Sequence, residues 1–160
     1  MAFFTTSRKP CARSRTFVKE MARIVPGSAT QTRGKKAIDD VAEDARQGGH
    51  GVVAVVTESH GNPASIRAFR VTEDGWSWHE NEFLLKSVKL SREFGAHVHR
   101  AEEITVDDTI GFAKALGIEP GESDTELRAT KEGITFFQAG EEVGPRITLR
   151  GIRHADADTD

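Results

Sequence analysis

The chain has 160 residues, of which 37% are apolar and 29% are charged. This length and balance predict one globular domain with a real core and exclude a disordered chain. A single cysteine excludes an intramolecular disulfide framework and a cysteine-rich zinc site. No apolar run approaches the roughly 20 residues of a membrane span, and no signal peptide opens the chain. We therefore expect a soluble cytoplasmic protein with no membrane partner.

Positive charge is concentrated at the start of the chain. Residues 1–36 hold nine Lys and Arg and one acid, a net charge of +8, whereas residues 37–160 carry −11. Such asymmetry is typical of a surface that binds a polyanion. It is also compatible with a basic segment that pairs with acids elsewhere in the same molecule.

Residues 5–10 (TTSRKP) lie between a short apolar strand and a predicted helix. Pro10 suits the first turn of a helix, where its missing N–H costs nothing, and Ser7 is placed at or near the N-cap. A helix N-terminus carries free N–H groups and partial positive charge, so a turn with Arg8 and Lys9 can hold a phosphate. The alternative is a capped helix with two exposed cations.

The helix predicted after this turn has one apolar face and one basic face. Apolar residues recur with helical spacing from Phe17 to Val25, so that face belongs in the core. Arg15, Lys19 and Arg23 lie four apart on the opposite face. Like charges at this spacing repel by a few tenths of a kcal/mol per pair, a cost that a bound anion could offset.

A basic turn at 33–36 (RGKK) leads into a second predicted helix, from about Lys36 to Gln47. Gly34 is the residue of the turn that can take a positive φ or let a ligand approach the backbone. The spacing is not that of a P-loop. The acids of the second helix, within 39–44, are expected to form a solvated face.

An unbroken β-branched run, 51–58 (GVVAVVTE), predicts a central strand that is buried on both faces. The chain as a whole is predicted to be α/β with a mixed sheet. The other elements expected are strands at 65–71 and within 76–90, a strand within 96–104, a helix that starts at 106–108, a hairpin of 125–130 with 133–139, and a last strand at 146–153.

Side chains that could carry chemistry do not form a recognisable constellation. His97 and His99 would share one side of a strand, but a metal site needs further ligands at known spacing. Cys11 has no base that can be placed beside it from sequence. Trp76 and Trp78 suit either base stacking or ordinary packing. We expect no enzyme activity, no cofactor and no metal.

Three segments together resemble the Brix-domain proteins of ribosome biogenesis. The first comprises residues 5–10 (TTSRKP), the basic helix, 25–27 (VPG) and 32–35 (TRGK). The second, 55–63 (VVTESHGNP), is similar to the family's central strand and glycine–proline turn. The third, 142–150 (EVGPRITLR), resembles its closing signature, which has been likened to a bacterial sigma-factor RNA-binding motif. The chain length matches the short stand-alone archaeal form.

The resemblance implies a fold of two halves, each like the anticodon-binding domain of class II aminoacyl-tRNA synthetases. We expect this Brix domain over residues 1–154, followed by an acidic disordered tail at 155–160. The resemblance also implies a part in ribosomal RNA processing and ribosome assembly. The implied partners are ribosomal RNA or its precursor, small guide RNA–protein complexes and ribosomal proteins. Residues 91–140 match the family poorly, and Ile147 stands where an aromatic residue is commoner.

The first hypothesis is thus an RNA-binding assembly factor without catalysis. The rival hypothesis is a protein scaffold whose acidic helix face contacts basic ribosomal proteins without direct RNA binding. On the first hypothesis Arg146 and Arg150 form a second contact strip, while Gly34, Gly61 and Gly144 shape the backbone. The predicted RNA-binding residues are Arg8, Lys9, Arg13, Arg15, Lys19, Arg23, Arg33, Gly34, Lys35, Lys36, Arg146 and Arg150.

Overall fold

A computed structural model describes residues 2–154 of the chain, and the predicted tail at 155–160 lies outside this range. The helices are α1 (Ala12–Ile24), α2 (Ile38–Gln47), α3 (Phe112–Ala115) and a 3-10 helix at Ser91–Phe94. The strands are β1 (Ala2–Thr6), β2 (Ala29–Thr30), β3 (Val52–Ser59), β4 (Asn62–Val71), β5 (Trp76–Lys89), β6 (Thr105–Asp108), β7 (Thr125–Thr130), β8 (Gly133–Gln138), β9 (Glu141–Glu142) and β10 (Arg146–His154). They form one sheet in the order β2-β1-β3-β4-β5-β10-β8-β7-β6, with β9 beside β8.

The sheet consists of two halves with the same strand pattern. In the first half the parallel pair β1 and β3 is followed by antiparallel β4 and β5. In the second half the parallel pair β6 and β7 is followed by antiparallel β8 and β10. Antiparallel pairing of β5 with β10 joins the two halves. The predicted α/β class with a mixed sheet is confirmed.

The first half of the sheet is covered on both faces, as predicted for β3. Val53 and Val55 pack into a cluster with α2, whereas Ala54 and Val56 point to the opposite face and pack with α1. A strand buried on both faces has no room for polar side chains, which accounts for its unbroken β-branched run.

The second half is covered on one face only. Leu127, Phe136 and Ile147 point inward and belong, with Phe112 of α3, to the larger core cluster. Side chains alternate along a strand, so their neighbours point the other way. On the outer face, within residues 2–154, Phe94 of the 3-10 helix lies beside Lys89 and Arg146, whereas α1, α2 and α3 belong to the core clusters on other parts of the sheet. None of the helices in this range is long and apolar enough to cross a membrane.

The start of α1 differs from the prediction. Cys11, not Ser7, is the N-cap, and its Sγ accepts a hydrogen bond from the Ser14 N–H at 3.4 Å. Lys9 takes a left-handed backbone conformation, with φ of 54°. The turn at 7–10 is therefore a loop ahead of the helix, and Pro10 lies before the N-cap instead of inside the first turn.

The predictions for residues 96–108 were wrong. No strand lies within 96–104, and β6 occupies the place where a helix start was predicted. Parallel pairing with β7 satisfies the backbone of β6. The Asp108 carboxylate accepts hydrogen bonds from the N–H groups of Ile110 and Ala113, at 3.0 and 2.7 Å. It thereby stabilises the start of α3, four residues later than expected.

Candidate nucleic-acid interface

Two loops meet at the carboxyl ends of β1 and β2 and are called here the basic loop pair, residues 7–11 and 31–37. The Thr5 hydroxyl donates to the Gln31 carbonyl at 2.8 Å, and the Ser7 N–H donates to the Val56 carbonyl at 2.9 Å. In open α/β sheets, ligands bind in the crevice beyond the carboxyl ends of the strands. The basic loop pair therefore stands where this fold class places a binding site.

Arg33 holds the basic loop pair together. It is 7% exposed, and its guanidinium donates to the carbonyls of Lys36 at 2.7 Å and Thr6 at 3.1 Å. Burial lowers the pKa of Arg33, and the nearby charge of Arg8 lowers it further. The role of Arg33 in this structure is to fix the loops.

The other cations of the basic loop pair differ in their availability. Arg8, Lys9 and Lys35 are exposed. Arg8 makes one long contact, 3.4 Å from Nε to the Lys36 carbonyl. The Lys36 ammonium instead pairs with the Asp44 carboxylate at 2.5 Å. Three cations thus project from the loops toward solvent.

Gly34 lies at the tip of this site. Its φ is +58°, and a Cβ added there would meet no atom within 4 Å. The constraint is therefore the backbone conformation and not space, because L-residues other than Gly rarely adopt it. Gly144, another predicted backbone-shaping position, is different: its added Cβ would lie 2.9 Å from the Phe94 ring.

The basic stripe of α1 is exposed, as the helical spacing predicted. Its two arginines donate hydrogen bonds to backbone carbonyls: Arg15 to that of Pro10 at 2.9 Å and Arg23 to that of Val98 at 2.8 Å. Lys19 lies between them beside a small pocket of about 110 Å³.

Glu20, the one acid that interrupts the basic segment, faces away from the stripe. Its carboxylate accepts a hydrogen bond from the Ser91 N–H at 2.6 Å and from the Arg92 N–H at 3.4 Å. It caps the 3-10 helix. The negative charge of Glu20 therefore has a structural role at a helix start, where partial positive charge is exposed.

A second basic feature, the basic groove, opens where β4 and β5 separate. β4 pairs with β5 up to Leu84, and beyond that point β5 pairs only with β10. The groove has a volume of about 590 Å³ and is lined by Arg13, Pro63, Lys86 and Arg150, among others. These residues come from all three segments that resemble the Brix family and from β5. Segments far apart in sequence thus converge on one cationic cleft.

Arg13 anchors one wall of the basic groove. Its guanidinium donates to the Val88 carbonyl at 2.5 Å and to the Glu93 carboxylate at 2.7 Å. The hydrogen bond from Arg13, together with one from the Leu90 N–H, lowers the pKa of Glu93 to about 2. Arg150, by contrast, is exposed at the other wall.

Arg146, the first residue of β10, pairs with a carboxylate. Its Nε and Nη2 both donate to Glu142, each at 2.7 Å. These hydrogen bonds raise the pKa of Arg146. The predicted strip of Arg146 and Arg150 therefore has one paired and one exposed guanidinium.

The acids of α2 do not form a purely solvated face. Asp44 accepts from Gln31 and Lys36, and Asp40 caps the Ala37 N–H at 3.1 Å. Asp39 accepts from the Trp76 indole at 2.6 Å, and Glu43 pairs with Arg46. All four carboxylates are engaged within the chain.

Lys86 was missed by the sequence interpretation, since its position beside the basic groove depends on where β4 ends. The alternation of β5 marks Lys86 as outward-facing, but no nearby residue indicates which other segments will lie beside it.

A larger groove, about 760 Å³, lies in the second half and is lined by several acids, including Glu102, Glu122 and Asp124. Acidic side chains thus concentrate around this second groove.

The histidines give no metal centre. The rings of His97 and His99 lie edge to face with centroids 4.8 Å apart, on a loop and not on the predicted strand. Within residues 2–154 no group of three or more His, Cys, Asp or Glu side chains converges as metal ligands do.

The fold and the clustered cations define an α/β protein of two joined sheet halves with a basic surface. A scan against protein-family models finds no match. A curated relative from Aeropyrum pernix, a probable Brix domain-containing ribosomal biogenesis protein, is 32% identical over 91% of this chain and 92% of its own length. The chain belongs to this family of Brix domain-containing ribosomal biogenesis proteins.

Solved structures agree with this assignment. A crystal structure of a probable ribosomal biogenesis protein from Aeropyrum pernix K1 covers 99% of this chain and 97% of that chain, with a TM-score of 0.78 and 26% identity. A crystal structure of an archaeal Imp4-like protein covers 96% of this chain and 99% of that chain, with a TM-score of 0.69 and 28% identity. Both similarities extend over the second half, where the sequence resembles the family least.

Proposed function

We propose that this chain is a ribosome assembly factor that binds ribosomal RNA or its precursor and assists its processing. The observation that carries the proposal is the convergence of all three family-like segments on the basic groove, in a chain that also exposes cations on α1 and on the basic loop pair. Cations that contact phosphates supply sequence-independent affinity for nucleic acid. The family membership supports a part in ribosome biogenesis.

The residues proposed to contact phosphates are those whose charge faces solvent. Arg33 is buried, and Arg13, Lys36 and Arg146 each pair with a carboxylate, so we assign these four to shaping the surface and to secondary contacts. The positions proposed for direct phosphate contact are Arg8, Lys9, Arg15, Lys19, Arg23, Lys35 and Arg150. No bond chemistry is involved, and the protein acts by holding and arranging RNA.

The proposed domain comprises residues 1–154, with 155–160 as a tail. The repeated order of a parallel pair followed by two antiparallel strands supports the proposal that each half resembles an anticodon-binding domain. We place the protein in the cytoplasm, with ribosomal proteins and small guide RNA–protein complexes as further partners.

The test is binding to a transcribed fragment of ribosomal RNA precursor. The variant Arg8→Ala, Lys9→Ala, Lys35→Ala removes three exposed cations and should lose most of its affinity at moderate salt. The matched control, Arg100→Ala, Lys114→Ala, Lys131→Ala, removes the same charge elsewhere on the exposed surface and should bind as the parent does. Equal binding by both variants would show that net charge, and not this site, sets the affinity.

The scaffold hypothesis remains the rival and has its own readout. Its predicted contact face on α2 has all four carboxylates engaged within the chain, which leaves it less free to attract a basic protein. Capture of ribosomal proteins that persists after nuclease treatment, together with no RNA affinity in the parent, would replace the RNA proposal with the scaffold.

A further inference from the structure

A small cleft, called here the α1–β2 cleft, lies between α1 and the ends of β1 and β2. It has a volume of about 110 Å³, and its lining includes Thr6, Arg15, Val18, Lys19 and Arg33. None of the described residues that line it is an acid. A water molecule occupies about 30 Å³ in the liquid. The cleft therefore has room for a group of a few atoms and not for a whole nucleotide.

Arg33 is a buried cation of this cleft without a counter-ion. It is 7% exposed and forms no ion pair with any carboxylate of residues 2–154. Its Nε and Nη1 donate to the carbonyls of Lys36 and Thr6, whereas Nη2 forms no hydrogen bond within the same range. Buried charges are normally paired, because taking an ion out of water without a partner is costly. The burial of Arg33 therefore indicates that an anion is its missing partner.

Thr6 contributes a second buried polar group. It is 3% exposed and lies on the same face of β1 as Phe4, which belongs to the core cluster that contains α1. Its hydroxyl forms no hydrogen bond within residues 2–154, although buried hydroxyls usually have a partner. A ligand with acceptor oxygens would therefore satisfy both the Thr6 hydroxyl and the remaining nitrogen of Arg33.

Two exposed cations of α1 add positive charge at the rim of the cleft. Lys19 forms no ion pair or hydrogen bond within residues 2–154, and Arg15 donates one hydrogen bond, to a carbonyl of the preceding loop. Gln31, which also lines the cleft, contacts the carboxylate of Asp44, but that carboxylate is already paired with Lys36. The positive charge of the cleft is thus not neutralised by the acid beside it.

We propose that the α1–β2 cleft binds the terminal phosphate of an RNA strand, with Arg33 and Thr6 donating to its oxygens and Lys19 pairing with it at the rim. This inference rests on the proposed function and adds to it the recognition of an RNA end. A phosphate monoester carries a charge of about −1.5 to −2 at neutral pH and three acceptor oxygens, and arginine binds such a group well. A phosphate inside the backbone has a single charge and a nucleoside on each side, so it matches neither the charge nor the volume of the cleft.

The test compares three RNA oligonucleotides of one sequence, with a phosphate at the 5′ end, at the 3′ end or at neither end. The parent should bind one of the phosphorylated strands about ten-fold more tightly than the unphosphorylated strand, the gain expected from charge-assisted hydrogen bonds. The preferred strand identifies which end of RNA the cleft accepts.

Two variants locate this preference in the cleft. Thr6→Val keeps the shape of the side chain and removes a hydroxyl that has no protein partner, so it should melt no lower than the parent. It should lose about three-fold or more of the preference, as should Lys19→Gln. Ser91→Ala removes another buried hydroxyl without a partner, and Lys114→Gln removes another exposed lysine. Both of these controls should keep the preference of the parent.

The outcomes separate this inference from the proposed function. If the parent binds all three strands equally while the variant Arg8→Ala, Lys9→Ala, Lys35→Ala loses affinity, the terminal-phosphate site is wrong and the proposed function stands. If the folded Thr6→Val and Lys19→Gln variants keep the whole preference, the RNA end binds elsewhere and the inference is equally wrong. If the parent binds neither these strands nor ribosomal RNA fragments, both proposals fail. Melting temperatures show that each variant is folded.

Discussion

Replacing Arg15, Lys19 and Arg23 of α1 by Ala should weaken RNA binding, and the variant should remain folded. The three side chains are exposed, so their truncation opens no cavity in the core. Two hydrogen bonds are lost, from Arg15 to the Pro10 carbonyl and from Arg23 to the Val98 carbonyl. Each contributes about 0.5–1.5 kcal/mol net, and relief of like-charge repulsion offsets a few tenths. We expect a loss of about 1–2 kcal/mol, a few degrees in melting temperature.

The RNA readout is the salt dependence of affinity, measured by titrating a ribosomal RNA fragment at several salt concentrations. For a single strand, log K falls against log salt with a slope of about −0.7 per phosphate neutralised. Losing three contacts should move the slope by about 2 units toward zero. Lys19→Ala alone, which removes no protein hydrogen bond, should move it by about 0.7 and leave stability within about 0.5 kcal/mol. An unchanged slope in a folded triple variant would refute a role of this stripe in RNA binding.

Three further predictions concern the fold and its pH dependence. Val55→Asp should prevent folding, because Val55 is 5% exposed in the α2 cluster and an unpaired buried carboxylate costs several kcal/mol; a soluble variant that melts cooperatively would contradict this. Gly34→Val should cost about 1–2 kcal/mol from its left-handed backbone and weaken RNA binding, with Gly34→Asn milder in both melting and titration. The folded pKa of Glu93 is lowered from 4.5 to about 2, so the stability from its contact with Arg13 is present above about pH 4.5 and is lost as pH falls toward 2. Glu93→Gln should therefore melt lower than the parent near neutral pH, and that difference should shrink in acid; a constant difference across this range would rule out the linkage.

Elements with a strong local pattern were predictable, and elements decided by distant pairing were not. The β-branched run of β3 and the apolar periodicity of α1 gave their types and approximate limits, and the hairpin of β7 with β8 was predicted correctly. The short strand β6 was missed because its pairing partner, β7, lies some 20 residues away and its own sequence is acidic. No local signal indicates that β5 changes partners from β4 to β10.

The candidate site likewise contains features that the local sequence predicts and features that depend on the folded structure. Exposure of Lys19 follows from helix geometry alone, and Gly34 has the positive φ that its place in a turn suggested. The burial of Arg33 could not be predicted, because it depends on carbonyls of Thr6 and Lys36 that the fold brings together. The contact of Arg128 with the Phe137 ring could not be predicted either, because it depends on the pairing of β7 with β8.

Strand β5 belongs to both halves of the sheet, since it pairs with β4 in the first half and with β10 in the second. The strand leaves β4 after Leu84, at the basic groove, and continues beside β10 to Lys89, about 17 Å further along an extended chain. Because this one strand is hydrogen-bonded to β4 in the first half and to β10 in the second, rotating one half against the other would break backbone hydrogen bonds of the sheet. The two halves should therefore unfold in a single cooperative transition and not as two separate domains.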